Sequence, residues 1–448
     1  MAAGTNDAAR ALQGGACGTL PAAVHHKVSL VLSYRYPGKY AFNVLAGALQ
    51  EDELAGRVEV HFPSSFETLK AATEQAAAHG GPVVVAWSFY SMGLPEAEAE
   101  HRALRAALPG VRFLSIAGGV HATAEPEQTL RAGFDFIAVG EGEHTLRSLV
   151  DRLGRGEDPA GTHGLWRLVD GKVKSNGRGE GVDLNAFPPF ASHRHRYGAI
   201  ELTRGCIYAC RFCQTPYMAK ARFRHRSVEN TARWVKVLRD AGKTDVRFIS
   251  PTSLSYGSQD GNVNLDAVEA LLSAVREAAG PEGRVYFGTF PSEVRPEHVT
   301  PEALALLKKY VDNDNLIIGG QSGSDRVLTQ SKRGHDVETI RRAVDIAVGC
   351  GFVPNVDFIL GLPGEEAEDL RATVELMHAL ADKGARVHGH TFMPLPGTPF
   401  RNAAPGQVDA PTRLALERLA SRGLLYGHWK AQEKTAAELA ERRPNRQG

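Results

Sequence analysis

Cysteine is scarce in this chain, with five among 448 residues, and so are methionine (five) and tryptophan (four). Neither sign of charge is in excess: 52 Lys plus Arg stand against 51 Asp plus Glu. That balance removes the simplest electrostatic case for a nucleic-acid partner. No stretch reaches the roughly 18 consecutive apolar residues that a membrane-spanning helix requires. The Ala/Gly-rich start (1–20) lacks a basic region followed by an apolar one, so no secretory leader is expected and the chain reads as cytoplasmic. With 43% hydrophobic and 23% charged residues, the composition is that of a globular protein of two or three domains.

The few cysteines are unevenly placed. Cys206, Cys210 and Cys213 fall within eight residues, while Cys17 and Cys350 stand alone. A disulfide framework would disperse them, so an odd, clustered set points to reduced thiols that ligate a metal.

Two series of apolar runs alternate with helical stretches. The first comprises 28–33, 58–62, 82–88, 111–119 and 134–143, continuous in Val, Ile and Phe. Such runs predict a parallel sheet buried on both faces, hence a doubly wound α/β domain over 27–153 after a flexible tail (1–26). Ligands of such sheets sit outside the carboxyl ends of the strands, which here carry Ser88, Gly118, Gly119, Gly140 and Gly142. Residues 154–198 hold a Gly/Arg-rich run, an Asp170-Gly171 turn and Pro188-Pro189, and read as a linker with a small β-element. The second series (199–205, 245–250, 284–290, 315–321, 353–361, 385–393) alternates with five helices, one of them repeating Val337, Ile340, Val344 and Val348. Six strands and five helices predict an open (βα)6 barrel over 199–400, with its chemistry at the strand C-terminal ends. Residues 401–448 read as a helical extension.

The three cysteines lie in GCIYACRFCQTP (205–216), directly after the first barrel strand. Three thiolates on one loop suit a 4Fe-4S cube with one iron left open, whereas zinc would ordinarily take four protein ligands. A zinc loop completed by a histidine such as His225 is the plainer alternative. CxxxCxxC spacing, with Phe212 before its last cysteine, resembles the radical S-adenosylmethionine (radical SAM) superfamily. GGQSGSDRVL (319–328), KRGHD (332–336), NVDFILGLPGE (355–365) and MPLPGTPF (393–400) match that barrel's later strands and loops in order. The resemblance implies that the open iron chelates SAM and that an electron from the cluster cleaves it to methionine and a 5'-deoxyadenosyl radical. It further implies that Gln321 and Ser322 bond the methionine part of SAM, that Arg333 meets its carboxylate, that Ser250 meets amino or ribose groups, and that backbone near Leu360 and Gly361 passes the adenine. In each case an ordinary structural role, such as a helix cap at Ser322, is the competing reading.

In the first domain GGVHAT (118–123) is no dinucleotide fingerprint, because GxGxxG after the first strand is absent. Together with AGFDFIAVGEGE (132–143) it resembles the cobalamin-binding domain fused to many radical SAM enzymes, and implies contacts from Ser88, Gly118, Gly119, Gly140, Glu141 and Gly142. The DxHxxG motif that brings a histidine to cobalt is missing. Cobalamin is therefore expected without a histidine in that place; His121, the one tempting substitute, is better read as bonding backbone or phosphate.

The combined resemblance implies a cobalamin-dependent radical SAM enzyme using a 4Fe-4S cluster, SAM and cobalamin. The leading expectation is methylation of an unactivated carbon on a small-molecule or peptide substrate, with an external reductant such as flavodoxin or ferredoxin, and no membrane or nucleic-acid partner. Cyclisation or rearrangement with the same parts is an alternative. Methylthiotransferases resemble the barrel alone and carry a second three-cysteine cluster, whereas residues 1–205 here hold only Cys17. A cobalamin-holding module without turnover would leave the SAM-like loops unexplained. Tyr256, Tyr286, His388 and His390 are candidates to line the barrel interior.

Overall fold

A computed structural model describes residues 25–443 apart from Lys220. Cys17 and most of the expected tail lie outside the described residues. The first domain holds a seven-stranded sheet in the order Val58–His61, Val28–Leu32, Val83–Ser88, Leu114–Gly118, Phe136–Ala138, Leu165–Val169, Lys172–Ser175. The first five strands in that order pair in parallel, with Leu30 opposite both Val60 and Val84. Strands Val28–Leu32 and Val83–Ser88 are apolar and buried because helices cover both faces. The strand order switches direction beside Val28–Leu32, the crevice position that such sheets use for ligands. The hairpin predicted around Asp170-Gly171 forms, but it is no separate element of a linker. Its first strand, Leu165–Val169, pairs antiparallel with Phe136–Ala138, and its second, Lys172–Ser175, pairs antiparallel with the first and forms the sheet edge.

The barrel strands are Ile200–Glu201 with Thr203–Arg204, Asp245–Ile249, Arg284–Tyr286, Asn315–Gln321, Val353–Leu360 and Arg386–Thr391. Thr203–Arg204 pairs antiparallel with Arg224–His225, while Ile200–Glu201, Asp245–Ile249 and Arg284–Tyr286 make one parallel ladder and the last three strands another. Val294 bridges the gap between them, donating its N–H to Ile317 and accepting from Gly319. Around the strands run helices that include Val228–Asp240, Leu265–Ala279, Pro301–Tyr310, Val337–Gly349 and Ala367–Asp382. Helix Val337–Gly349 starts where Asp336 accepts the N–H of Thr339 at 2.8 Å. It buries Ile340, Ala343, Val344 and Ala347, whereas Val348 is exposed. The predicted stripe was one position off at its end, since a 3.6-residue period carries the buried face from 340 and 344 to 347.

The C-terminal extension is more than helix. Between helices Ala410–Ser421 and Trp429–Glu441, the strand Leu425–Tyr426 pairs in parallel with Arg386–Thr391 and adds an edge to the barrel. No helix among the described residues is long and apolar enough to cross a membrane.

Candidate active site at the domain junction

The cysteine loop opens at Gly205, whose φ of 86° only glycine takes without strain and where a Cβ would come within 2.1 Å of the Arg222 carbonyl. Cys206, Cys210 and Cys213 all line one cavity of about 520 Å³ at the strand C-terminal ends. No disulfide forms among the described residues. Burial pushes the Cys206 thiol up to about 12 and raises Cys213 as well. Desolvated thiols converging on one space, with no covalent or carboxylate partner, ionise when a metal takes the proton's place, which is the chemistry of an iron–sulfur site. A guanidinium supports that exchange: Arg333, itself buried, donates to Cys210 Sγ at 3.3 Å and to the Gly319 carbonyl at 2.6 Å.

Gln321 enters the cavity through a local irregularity. The pairing of Asn315–Gln321 with Val353–Leu360 slips between Gly319 and Gln321, and Gln321 takes a φ of 77°. Such a bulge re-aims a side chain at the end of a strand. A Cβ at Gly319 would lie 2.8 Å from Gln321 Nε2 and 2.9 Å from an Arg333 nitrogen, so glycine there lets both side chains pack over the strand. Ser250 also lines the cavity, its hydroxyl donating to the Thr252 carbonyl at 3.0 Å.

A second cavity, of about 860 Å³, lies between the domains. Its walls include Ser88, Gly118, Gly119, Gly140 and Gly142 from the first sheet, and Phe212, Cys213 and Ser250 from the barrel. A Cβ at Gly118 would meet nothing nearer than 3.8 Å, so this position is open ground over a strand end, the surface a flat macrocycle needs. Gly119 differs: with φ 93° its Cβ would press to 2.9 Å from the Phe89 carbonyl. Phe212, Cys213, Thr215, Ser250 and Leu395 belong to both cavities, so the two spaces adjoin along the cysteine loop.

Several expected contacts lie elsewhere. Ser322 is fully buried and lines neither cavity; its hydroxyl accepts the Ser324 N–H at 3.2 Å and neighbours Thr373 at 3.4 Å, tying the strand end to helix Ala367–Asp382. Leu360 packs into the core, and a side chain at Gly361 would collide with Gly406–Gln407 backbone at 2.6 Å rather than with a ligand. His121 is buried, bonded to Ser91 at 3.1 Å and held down at about 4 by burial, and it lines neither cavity. Tyr256 and Tyr286 stay out of the cavities, whereas His388 and His390 line the first.

Glu141 does touch the second cavity, but its carboxylate is engaged by the barrel. Arg204 donates to it at 2.8 Å, Arg224 at 2.9 Å, and the Val182 N–H at 3.0 Å. Burial alone would raise its carboxyl, but the two arginines outweigh this and hold it at about 2. Arg204 also pairs with Glu143 and Glu201, so one charge cluster clamps the two domains at the cavity edge.

Glu293 escaped the reading of the sequence. It lines the first cavity, and burial there pushes its carboxyl up to about 7 against the pull of Arg333 and Arg295. Its signal was its place just past the third barrel strand, where barrel chemistry gathers. Asp357 and Gln432 also line this cavity; Gln432 comes from the C-terminal helix and no local pattern marks it.

The family model of the radical SAM superfamily matches residues 200–377, and that of the B12 binding domain matches residues 34–150. Among solved structures the chain is similar to the radical SAM methyltransferase TsrM of Kitasatospora setae. The TM-score is 0.67 at 19% identity, covering 84% of this chain and 74% of that one. It is also similar to the cobalamin-dependent radical enzyme OxsB, with a TM-score of 0.62 at 18% identity over 79% and 52% of the two chains. Among curated proteins, a tRNA-2-methylthio-N(6)-dimethylallyladenosine synthase of Ralstonia nicotianae is 29% identical over 280 residues, 58% of this chain and 57% of that protein. An uncharacterized methyltransferase of Pyrococcus horikoshii is 27% identical over 297 residues, 63% of this chain and 61% of that protein. The chain spans about half the length of the first curated relatives it matches. The chain thus joins a B12-binding domain to a radical SAM domain, and the two meet at adjoining cavities along the cysteine loop.

Proposed function

We propose that the chain transfers a methyl group to an unactivated carbon of a small-molecule or peptide substrate bound in the barrel cavity. The observation that carries this reading is the shared wall of the two cavities, where the cysteine loop and Ser250 border both spaces. When bound, the cluster and SAM supply one-electron cleavage chemistry, and cobalamin supplies a methyl carrier. Cys206, Cys210 and Cys213 ligate the cluster. Gln321, Arg333 and Ser250 hold SAM over it, with Phe212 packing at the loop. Ser88, Gly118, Gly119, Gly140 and Gly142 form the floor of the cobalamin space. The clamp of Glu141 on Arg204 and Arg224 holds the domains together and keeps bulk water from the junction. An external one-electron reductant, of flavodoxin or ferredoxin type, serves the cluster in the cytoplasm.

Sulfur insertion, suggested by the curated relatives, is disfavoured by the absence of a second cysteine cluster anywhere in the sequence. Cyclisation or rearrangement shares all the named residues and is separated by product. Anaerobically reconstituted protein, given SAM, cobalamin, reductant and an extract of small molecules and peptides, is expected to form S-adenosylhomocysteine together with a product heavier by one methylene unit. Formation of 5'-deoxyadenosine with an unmethylated, isomeric product would favour rearrangement. Absence of both SAM-derived products with every extract would refute catalysis.

A further inference from the structure

The wall of the barrel cavity contributed by the last strands carries a second polar constellation. Asp357 and His388 are directly opposite across the paired strands Val353–Leu360 and Arg386–Thr391, and Tyr426 is opposite His388 on the next strand. His390, two residues on, shares the face of His388. Asp357 Oδ1 lies 2.9 Å from His388 Nδ1, and His390 Nε2 lies 3.2 Å from the same nitrogen. Tyr426 stacks on the His388 ring, centroids 4.4 Å apart and planes within 9°, which fixes its orientation. Three donor atoms so close would suit a divalent cation as well as a proton.

The hydrogen-bond directions decide between the two. The backbone N–H of Thr391 can only donate, and it donates to Gln432 Oε1 at 3.0 Å. The other end of that amide, its NH2, therefore faces His390 Nδ1 at 3.2 Å. Nδ1 of His390 must accept, so the neutral ring carries its hydrogen on Nε2, aimed at His388 Nδ1. Burial first, and then the charge of His388, lower the pKa of His390, which keeps that ring neutral. A ring with hydrogen on Nε2 offers no lone pair to a metal there. His388 Nδ1, accepting from His390, carries no hydrogen, so the hydrogen of the neutral His388 ring is on Nε2, and the proton shared with Asp357 Oδ1 at 2.9 Å is carried by the carboxyl oxygen. No protein atom among the described residues bonds His388 Nε2, and His388 lines the cavity. The other titratable groups near this pair are Glu293, Tyr426 and His428.

We propose that Asp357 and His388 form a proton-holding pair in the wall of the barrel cavity, wired by Thr391, Gln432 and His390, and that His388 Nε2–H anchors a carboxylate or carbonyl oxygen of the substrate. This rests on reading the cavity as the substrate's, as above; the wiring itself is independent of the reaction. It makes His388 a substrate-binding residue and Gln432 a positioning residue.

The test uses holoprotein with nitrogen-labelled histidine and two-bond proton–nitrogen correlation, the signals being assigned by His388→Gln and His390→Gln. His390 is expected to carry its hydrogen on Nε2. Millimolar acetate, the simplest carboxylate probe, should move the His388 Nε2 signal and leave that of His390 unmoved. Hydrogen on His390 Nδ1 would overturn the wiring, and no movement with acetate would overturn the anchor. Zinc titration of the same holoprotein is the second measurement: wild type should show no site lost in His388→Gln. In Gln432→Glu a carboxylate can accept from both Thr391 and His390, so the ring reverses and zinc should bind about tenfold tighter or more. A stoichiometric wild-type zinc site that His388→Gln abolishes would establish a metal site in place of the proton pair. Failure of methyl transfer with these results intact would refute the reaction and leave the pair standing.

Discussion

One guanidinium nitrogen of Arg333 lies 3.3 Å from Cys210 Sγ while the other donates 2.6 Å to the Gly319 carbonyl, so a single buried cation joins the cysteine loop to the fourth barrel strand. Replacing it by methionine, similar in volume but uncharged, should cost about 3 kcal/mol, the usual penalty for breaking a buried charge interaction. Iron and sulfide content after reconstitution, read with the denaturation midpoint, checks this. A variant that keeps both would show that Arg333 is a bystander.

Cys206→Ala, Cys210→Ala and Cys213→Ala should each lose the visible absorption and most of the iron of the reconstituted protein. Cys350→Ala should retain both, because Cys350 sits half-buried at the end of helix Val337–Gly349, in the other half of the barrel. Retention of the chromophore in any of the first three would remove that residue from the ligand set.

The adjacent glycines 118 and 119 should separate binding from folding. Gly118→Val projects into open space, so stability should change by less than about 1 kcal/mol while cobalamin retention falls at least tenfold. Gly119→Ala meets both an unfavourable φ and the Phe89 carbonyl, and should cost about 2 kcal/mol or more. Equilibrium dialysis with hydroxocobalamin and urea denaturation distinguish the two; equal binding by Gly118→Val and wild type would place the macrocycle elsewhere.

Glu141 has its carboxyl lowered from 4.5 to about 2 in the folded protein. A depressed carboxyl contributes stability that is present above the unfolded value and is lost as pH falls through the folded one. The clamp should therefore weaken between about pH 4.5 and 2, and Glu141→Gln should flatten the acid limb of stability against pH in that window. At neutral pH the same change leaves Arg204 and Arg224 short of a partner and should cost about 3 kcal/mol. Urea titrations at stepped pH measure both effects, and an unchanged acid limb would contradict the assignment.

Buried His101, His121 and His298 act in the same sense but in a higher pH window. Burial lowers each from 6.5 to about 4, so the unfolded chain binds more protons than the folded one between those values. Stability should fall as pH drops below about 6.5, with an uptake of up to three protons on unfolding. His121→Gln should reduce that uptake by one, measurable by calorimetry in buffers of different ionisation enthalpy.

Much of this architecture was legible in linear order. Continuous runs such as 28–32 and 83–85 announce strands buried on two faces, and cysteines at 206, 210 and 213 announce a metal loop, because burial periodicity and ligand spacing are local properties. Less legible were contacts closed by distant segments. Ser322 looked like a ligand contact until Thr373, 51 residues on, proved to be its neighbour. Glu141 looked like part of a ligand loop, but Arg204 and Arg224 claim it from the other domain.

By itself the amino-acid sequence determined the two α/β units, their order and the thiol loop on the first barrel strand, since each follows from residue types within a few positions of one another. Only the tertiary structure decided that the cysteine loop borders both cavities, that Glu293 lies desolvated beside Arg333, and that Gln432 of the C-terminal helix sets the tautomer of His390 on a barrel strand. The physical reason is the same in each case. Desolvation and hydrogen-bond direction depend on what chain folding brings alongside a residue, and no local pattern specifies a neighbour 40 or more residues away.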